Sequence, residues 1–373
     1  MQVSKFHSLC VVTGKIVTEV LREEYDVSQP CPELPKLQHL AKTANRHRAK
    51  LRPLEPQDLS FELDTEFIGA EFFQGEIADR GHRHVLLATS AMLQLLRQCK
   101  HWYMDSTFKV IKEPFGQLFA IHGFVRSGDN LKQVPLFFAA MSHRKKRDYV
   151  AVLSAVLKLV QQPNVRFVTL DFEAAMWRAI SAVMPDVSIS GCGFHWAQAV
   201  FRHGVQACGL QRHFMKDAGT YKFIKKLLAL PYLPADVIAA SFDELVASVT
   251  LTDGLSQLVD YVRRQWIAGR FSPENWSVYM KTVRTNNDTE GYHRKLNQEK
   301  HKMPFYLLVQ KLHDEATDVV ITATLVSERK VKRLQRRKYR TVEARLFTAW
   351  DRYANGELSA MRLLSECAHC TAF

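Results

Sequence analysis

Residues 101–110 read HWYMDSTFKV, and the fold turns on them. Aromatic and β-branched residues favour an extended strand, whereas an aspartate in its middle is out of place, because Asp is depleted in strands. Working outward, residues 117–126 (QLFAIHGFVR) and 131–141 (LKQVPLFFAAM) read as two further strands. The gaps are short and hold Gly116, Gly128, Asp129 and Asn130, which predicts hairpin links and a three-stranded meander. Pro135 has no N–H to give to a ladder, so the third strand is expected at an edge. Asp148 to Val160 then repeats apolar residues at the helical period, at Tyr149, Val152, Leu153, Val156, Leu157 and Val160. Val165 to Leu170 reads as a buried strand, Glu173 to Met184 as a helix, Val187 to Gly191 as a short strand and Phe194 to Gln206 as a helix.

The resulting order, βββαβαβα, predicts an α/β fold with a mixed five-stranded sheet and helices packed on it. That is the RNase H-like arrangement, in which the first and fourth strands are parallel neighbours. Before it, residues 1–60 read as a basic, partly irregular region. Its helical stretch, containing Lys42, Arg46, His47, Arg48, Lys50 and Arg52, is ended by Pro53 and Pro56. His84 to Gln98 reads as a helix. The first part of the core is expected over 61–206 and a helical insertion over 207–280, with helices at Arg212 to Leu230, Ala235 to Ser248 and Leu255 to Ala268. The end of the core is expected over 281–325, with helices from Asn287 to Asn297 and from Pro304 onward, and a basic helix and tail over 326–373.

The 373 residues are 47% hydrophobic, enough for a sizeable core, which argues against wholesale disorder. Lys and Arg exceed Asp and Glu by 13, an excess that favours polyanionic partners through counterion release. Seven scattered cysteines do not form a disulfide framework. Met1 to Lys15 lacks a long apolar run and no stretch is long enough to span a bilayer, so an intracellular protein without a membrane partner is expected.

Three carboxylates are candidates for chemistry. Asp105 lies in the first strand, and Asp171 lies where the fourth strand ends, in Leu170-Asp171-Phe172-Glu173-Ala174. Strands one and four being parallel neighbours, these two carboxylates are expected side by side, where they repel unless a cation joins them. Magnesium, a hard ion with oxygen ligands, suits such a pair. Two ions about 3.5–4 Å apart activate the attacking oxygen and stabilise the leaving oxygen in phosphodiester cleavage. Glu290, in Thr285-Asn286-Asn287-Asp288-Thr289-Glu290-Gly291-Tyr292-His293, opens a helix and is the third candidate. Structural alternatives stand beside each: Asp171 as a helix N-cap, Glu290 in a capping box with Asn287 or paired with Arg294, and Asp105 as a satisfied buried acid.

Asp105-Ser106-Thr107-Phe108, Asp171-Phe172-Glu173-Ala174-Ala175, Gly191-Cys192-Gly193-Phe194-His195-Trp196-Ala197-Gln198-Ala199 and Thr285-Asn286-Asn287 with Glu290 and His293 follow one another as in Mutator-like element (MULE) transposases. The sequence resembles that family over roughly residues 45 to 325. The resemblance implies an RNase H-like fold, a helical insertion before the glutamate, and DNA cleavage and joining with Mg²⁺ or Mn²⁺. It carries the catalytic triad onto Asp105, Asp171 and Glu290, leaves Glu173 as a substitute ligand, and marks Cys192-x-x-His195 as a signature near the active site, with His293 assisting. Many relatives carry an N-terminal zinc-binding recognition module; no such Cys/His array occurs before residue 60.

Cys192 and His195 have half of a zinc-site spacing, with a buried Cys and a hydrogen-bonded His as the alternative. Cys367-Ala368-His369-Cys370 reads as part of a flexible tail, or as a zinc half-site shared between subunits. Residues 329–340 (RKVKRLQRRKYR) carry eight Lys or Arg in twelve, and so present Arg329, Lys330, Lys332, Arg333, Arg336, Arg337 and Lys338 for phosphate contact or nuclear import. Arg144, Lys145, Lys146 and Arg147 form a second cluster. Together these predict a nuclear DNA transposase acting on double-stranded DNA, expected to be a homo-oligomer. A domesticated, catalytically silent DNA-binding protein on the same fold is the alternative, and a nuclease acting on RNA–DNA hybrids is a third possibility.

Overall fold

The computed structural model describes residues 21, 35–127, 130–284, 291–292, 296, 302–328 and 337–370. One sheet organises them. Its strands are β1 (Phe73–Asp79), β2 (His82–Leu87), β3 (His101–Thr107), β4 (Gln117–Ser127), β5 (Asn130–Met141), β6 (Phe167–Leu170) and β7 (Ser188–Gly191), in the spatial order β1-β2-β5-β4-β3-β6-β7. The meander β3-β4-β5 is antiparallel, whereas β3–β6 and β6–β7 are parallel. The mixed α/β reading therefore holds, but the sheet has seven strands where five were expected.

Of the two extra strands, β1 lies ahead of the stretch read as a helix from His84 to Gln98, and β2 takes the front of that stretch. His82 to Leu87 are all buried, with Val85, Leu86 and Leu87 filling both sides of a ribbon rather than one helical stripe. Arg80 (φ 47°) and Gly81 (φ 78°) make the two-residue turn with both central residues at positive φ that right-handed strand twist favours. The helix itself starts only at Ser90 and runs to Gln98, capped by Thr89, whose Oγ1 accepts from the Met92 N–H at 3.2 Å. β5 is not the edge strand expected from Pro135, since β2 pairs with its Phe138–Met141; Pro135 lies in the half that β2 leaves uncovered, where its missing donor breaks no bond to β2.

Side chains alternate across the sheet. Tyr103, Asp105, Ala120, His122 and Phe138 share one face through their cross-strand pairs. Ser106 and Phe119 share the other, where the helix Lys146–Val160 lies and Tyr149 packs on Phe119 at 6.0 Å. Tyr292 sits on the first face, edge-on to His122 at 5.2 Å and stacked over Phe138 at 6.3 Å. Gly291, Tyr292 and Leu296 are helical, as expected for that segment, and Leu296 is buried.

Helices at 211–216, 218–228, 235–247 and 253–262 occupy the span expected to be a helical insertion. An aromatic cluster joins it to the sheet: Trp196 stacks on Trp276 at 5.0 Å, and Phe172 meets Trp266 at 4.7 Å and Phe271 at 5.2 Å. The C-terminal residues were expected to trail off. Instead, the helices Arg337–Ala354 and Ala360–Ala368 pack on these elements, with Trp350 Nε1 donating to the Tyr232 carbonyl at 2.8 Å and Cys367 fully buried. The physical reason is the apolar face of Leu363, Leu364 and Cys367, which has nowhere else to be hidden from water.

Candidate active site

The site grows from the β3–β6 register. His101 pairs with Phe167, Trp102 with Val168 and Tyr103 with Thr169. The pairing ends there; continued two residues further along each chain, the same register would bring Asp105 opposite Asp171, just beyond the end of β6. Neighbouring strands run about 4.8 Å apart, so two acids far apart in sequence share one end of the sheet. Asp105 is buried, and its Oδ1 accepts from the Ser106 backbone N–H at 2.8 Å. Asp171 begins the turn after β6. Its Oδ1 accepts from the Glu173 N–H at 3.2 Å, and its carbonyl accepts from Trp177 Nε1 at 2.7 Å. The expected N-cap role is thus half right: Asp171 orders the turn, while Glu173 holds the N-cap position of the helix Ala174–Val183.

Glu173 is drawn into the site as well. Burial, and then the Asp171 charge, push its carboxyl above the usual range, while Tyr149 and the Arg144 charge pull it partly back. Tyr149 Oη donates to Glu173 Oε2 at 2.9 Å and accepts from Gln117 Nε2 at 3.0 Å. Burial, with Glu173 as the next cause, keeps the Tyr149 hydroxyl protonated well beyond its normal range. Tyr149 was read only as an apolar helix position, and Gln117 only as the start of a strand. The overlooked signal was a polar tip in each, which must find a partner once buried.

Behind the acids on the same face, His101 Nε2 contacts Thr169 Oγ1 at 2.8 Å, and Thr169 contacts Ser190 Oγ at 3.0 Å. Burial, helped by the nearby Lys281 charge, lowers the His101 pKa to about 4. The ring is therefore neutral at physiological pH.

The Gly191-Cys192-Gly193-Phe194-His195-Trp196 motif has a packing role. A Cβ on Gly191 would sit 2.3 Å from the Phe172 ring, and one on Gly193 would sit 2.9 Å from the Arg284 carbonyl, which instead accepts the Gly193 N–H at 3.2 Å. Arg284 also pairs with Glu343 at 3.1 Å. The motif thus fastens the returning chain, six residues ahead of Glu290, against the end of β7. Cys192 is buried, and its presence adds to the upward push that burial exerts on the Tyr103 hydroxyl. Among the described residues, no group of three His, Cys, Asp or Glu side chains is placed to hold a metal ion, at Cys192 and His195 or elsewhere.

Residues 101–199 match a family model that begins where β3 begins and ends where the helix Gly193–Ala199 ends. The model is that of the MULE transposase domain. No curated protein matches the chain. The matched domain supports a transposase-type function and, with it, DNA as a partner. It contains Asp105, Asp171, Cys192, His195 and the cluster Arg144, Lys145, Lys146 and Arg147. All four basic residues of that cluster are exposed. Arg144 lies over the Phe108 ring at 5.0 Å, and Arg147 donates to His82 Nε2. His82 Nδ1 in turn meets Asp148 at 2.6 Å, so the basic loop is tied to β2. Glu290, His293, Arg329, Lys330, Lys332, Arg333 and Arg336 lie outside the described residues, as do the Arg337 and Lys338 side chains. No helix among the described residues is long and apolar enough to cross a membrane.

Proposed function

We propose that the chain is a DNA transposase with an RNase H-like core, cleaving and joining phosphodiesters at Asp105, Asp171 and Glu290. The observation that carries the proposal is the parallel β3–β6 register, whose continuation by two residues beyond Tyr103 and Thr169 would align the first two acids at one sheet end. The meander followed by two parallel strands, in the order β5-β4-β3-β6-β7, supports the core assignment. Tyr292, two residues after Glu290, is seated on the face that carries Asp105.

The donor chemistry fits hard divalent cations, Mg²⁺ or Mn²⁺, since carboxylate oxygens are their preferred ligands. Asp105, Asp171 and Glu290 would hold them, and such ions supply activation of the attacking oxygen and stabilisation of the leaving one. The chain's own part is position. The Ser106 N–H fixes Asp105, and the Glu173 N–H fixes Asp171. Arg144, Lys145 and Lys146 present positive charge to the phosphate backbone. A water would open the phosphodiester, and the freed 3′-hydroxyl would attack target DNA.

The test is nicking of supercoiled plasmid in Mg²⁺ or Mn²⁺ by wild type and by Asp105→Asn, Asp171→Asn and Glu290→Gln. Metal-dependent nicking that falls at least about a hundredfold in each variant supports the proposal. DNA binding without nicking in any of the proteins overturns it in favour of a silent DNA-binding protein.

A further inference from the structure

We propose that Phe108 and Arg144 form a receptor for an unstacked nucleobase and its phosphate at the rim of the acidic pair. DNA would then be engaged at an unpaired position beside the bond to be cut. The inference rests on the transposase reading for its choice of ligand, but its test measures binding rather than cleavage.

Residues 102–105 and Thr107 are buried, whereas Phe108, the first residue beyond β3, is 38% exposed. It stands three residues from Asp105, at the end of the sheet where the acids meet. An aromatic ring left in water there forgoes the burial that Trp102, Tyr103 and Phe119 gain. Arg144, itself exposed, extends across the ring at 5.0 Å. Lys109, Lys145 and Lys146 are exposed beside it.

An aromatic face within a cationic rim is the arrangement that holds single-stranded nucleic acid: the cations follow the phosphates and the ring stacks on a base of any identity. A base inside a duplex offers no free π face to Phe108, so the receptor selects strands that are already unpaired or that fray on binding. Phe108 has no hydrogen-bonding group, which predicts little preference for which base is taken.

The experiment uses the full chain in Ca²⁺, with a blunt 20-base-pair duplex of arbitrary sequence and the same duplex bearing a six-nucleotide unpaired tail. The first unpaired base is 2-aminopurine. Wild type is expected to bind the tailed duplex about tenfold more tightly than the blunt one, the ratio a single base–aromatic stack supplies, and to quench the probe. Phe108→Leu should abolish both the ratio and the quenching while blunt-duplex affinity stays within about twofold. Phe108→Trp should retain both, which excludes misfolding as the cause, and Arg144→Ala should weaken both duplexes together. A wild-type ratio near one, or a ratio unchanged in Phe108→Leu, overturns the receptor. Asp105→Asn should keep the wild-type ratio. A ratio that is present and depends on Phe108, alongside absent nicking, would remove the cleavage proposal and leave the receptor standing.

Discussion

Replacing Tyr149 by Phe removes one oxygen from between Gln117 and Glu173 and leaves two polar neighbours without their bond. Gln117 is 1% exposed and loses an acceptor at 3.0 Å; Glu173 loses a donor at 2.9 Å. A buried polar group stripped of its partner costs about 1–3 kcal/mol, so the variant should unfold about 1–4 °C below wild type. The pH dependence separates this account from a mere packing defect. An acid whose folded pKa is raised binds its proton more tightly in the folded state. Stability therefore falls as pH climbs from the ordinary 4.5 of Glu173 through its raised value. Loss of the Tyr149 hydroxyl, which favours the carboxylate, raises that value further. The gap between wild type and Tyr149→Phe should be small below the ordinary carboxyl pKa, where Glu173 is protonated in both states, and largest near neutrality. Urea unfolding at about pH 4 and about pH 8 reads the difference directly. A gap of equal size at both pH values would refute the reasoning, as would one that keeps its pH dependence in a Glu173→Gln background.

Other outcomes follow from the same geometry. His101, neutral when folded, takes up a proton on unfolding, so the chain should lose up to about 3 kcal/mol as pH falls from 6.5 to about 4, and His101→Phe should lose none of that increment in the same titration. Gly191→Ala drives a methyl into the Phe172 ring at 2.3 Å and should cost about 1–3 kcal/mol, with a change in the emission of Trp266 and Trp276 and partial relief from Phe172→Leu. Charge removal at Arg144, Lys145 or Lys146 should lower the slope of log affinity against log salt by about 0.9 for each phosphate no longer neutralised, measured on a blunt duplex.

How far the site could be read from sequence depends on where its determinants lie. Asp105 was conspicuous because an acid in a strand-forming run contradicts local preference, and Asp171 because it closes an apolar strand. The hairpin at residues 73–87 was missed because His82 to Leu87 is too short and too uniformly buried to show a period, and a neighbouring helix pattern absorbed it. The Gly191-to-Trp196 motif was legible as a signature but not as a clamp. Its reason is the Phe172 ring and the Arg284 carbonyl, one before it and one far beyond it in the chain. Tyr149, Gln117 and Phe108 looked like ordinary members of their elements. Only their hydrogen bonds or exposure set them apart.

By itself the sequence determined the local alternation of strands and helices and the basic character of the surface. These follow from side-chain periodicity and charge, which short-range sterics and solvation impose on any chain. Tertiary structure alone decided that two more strands extend the sheet, that the C-terminal helices pack back on the helices before them, and that a tyrosine hydroxyl bonds Glu173. Each of these depends on burial between segments tens to hundreds of residues apart, where the free energy resides in the match of two surfaces and neither segment carries it alone.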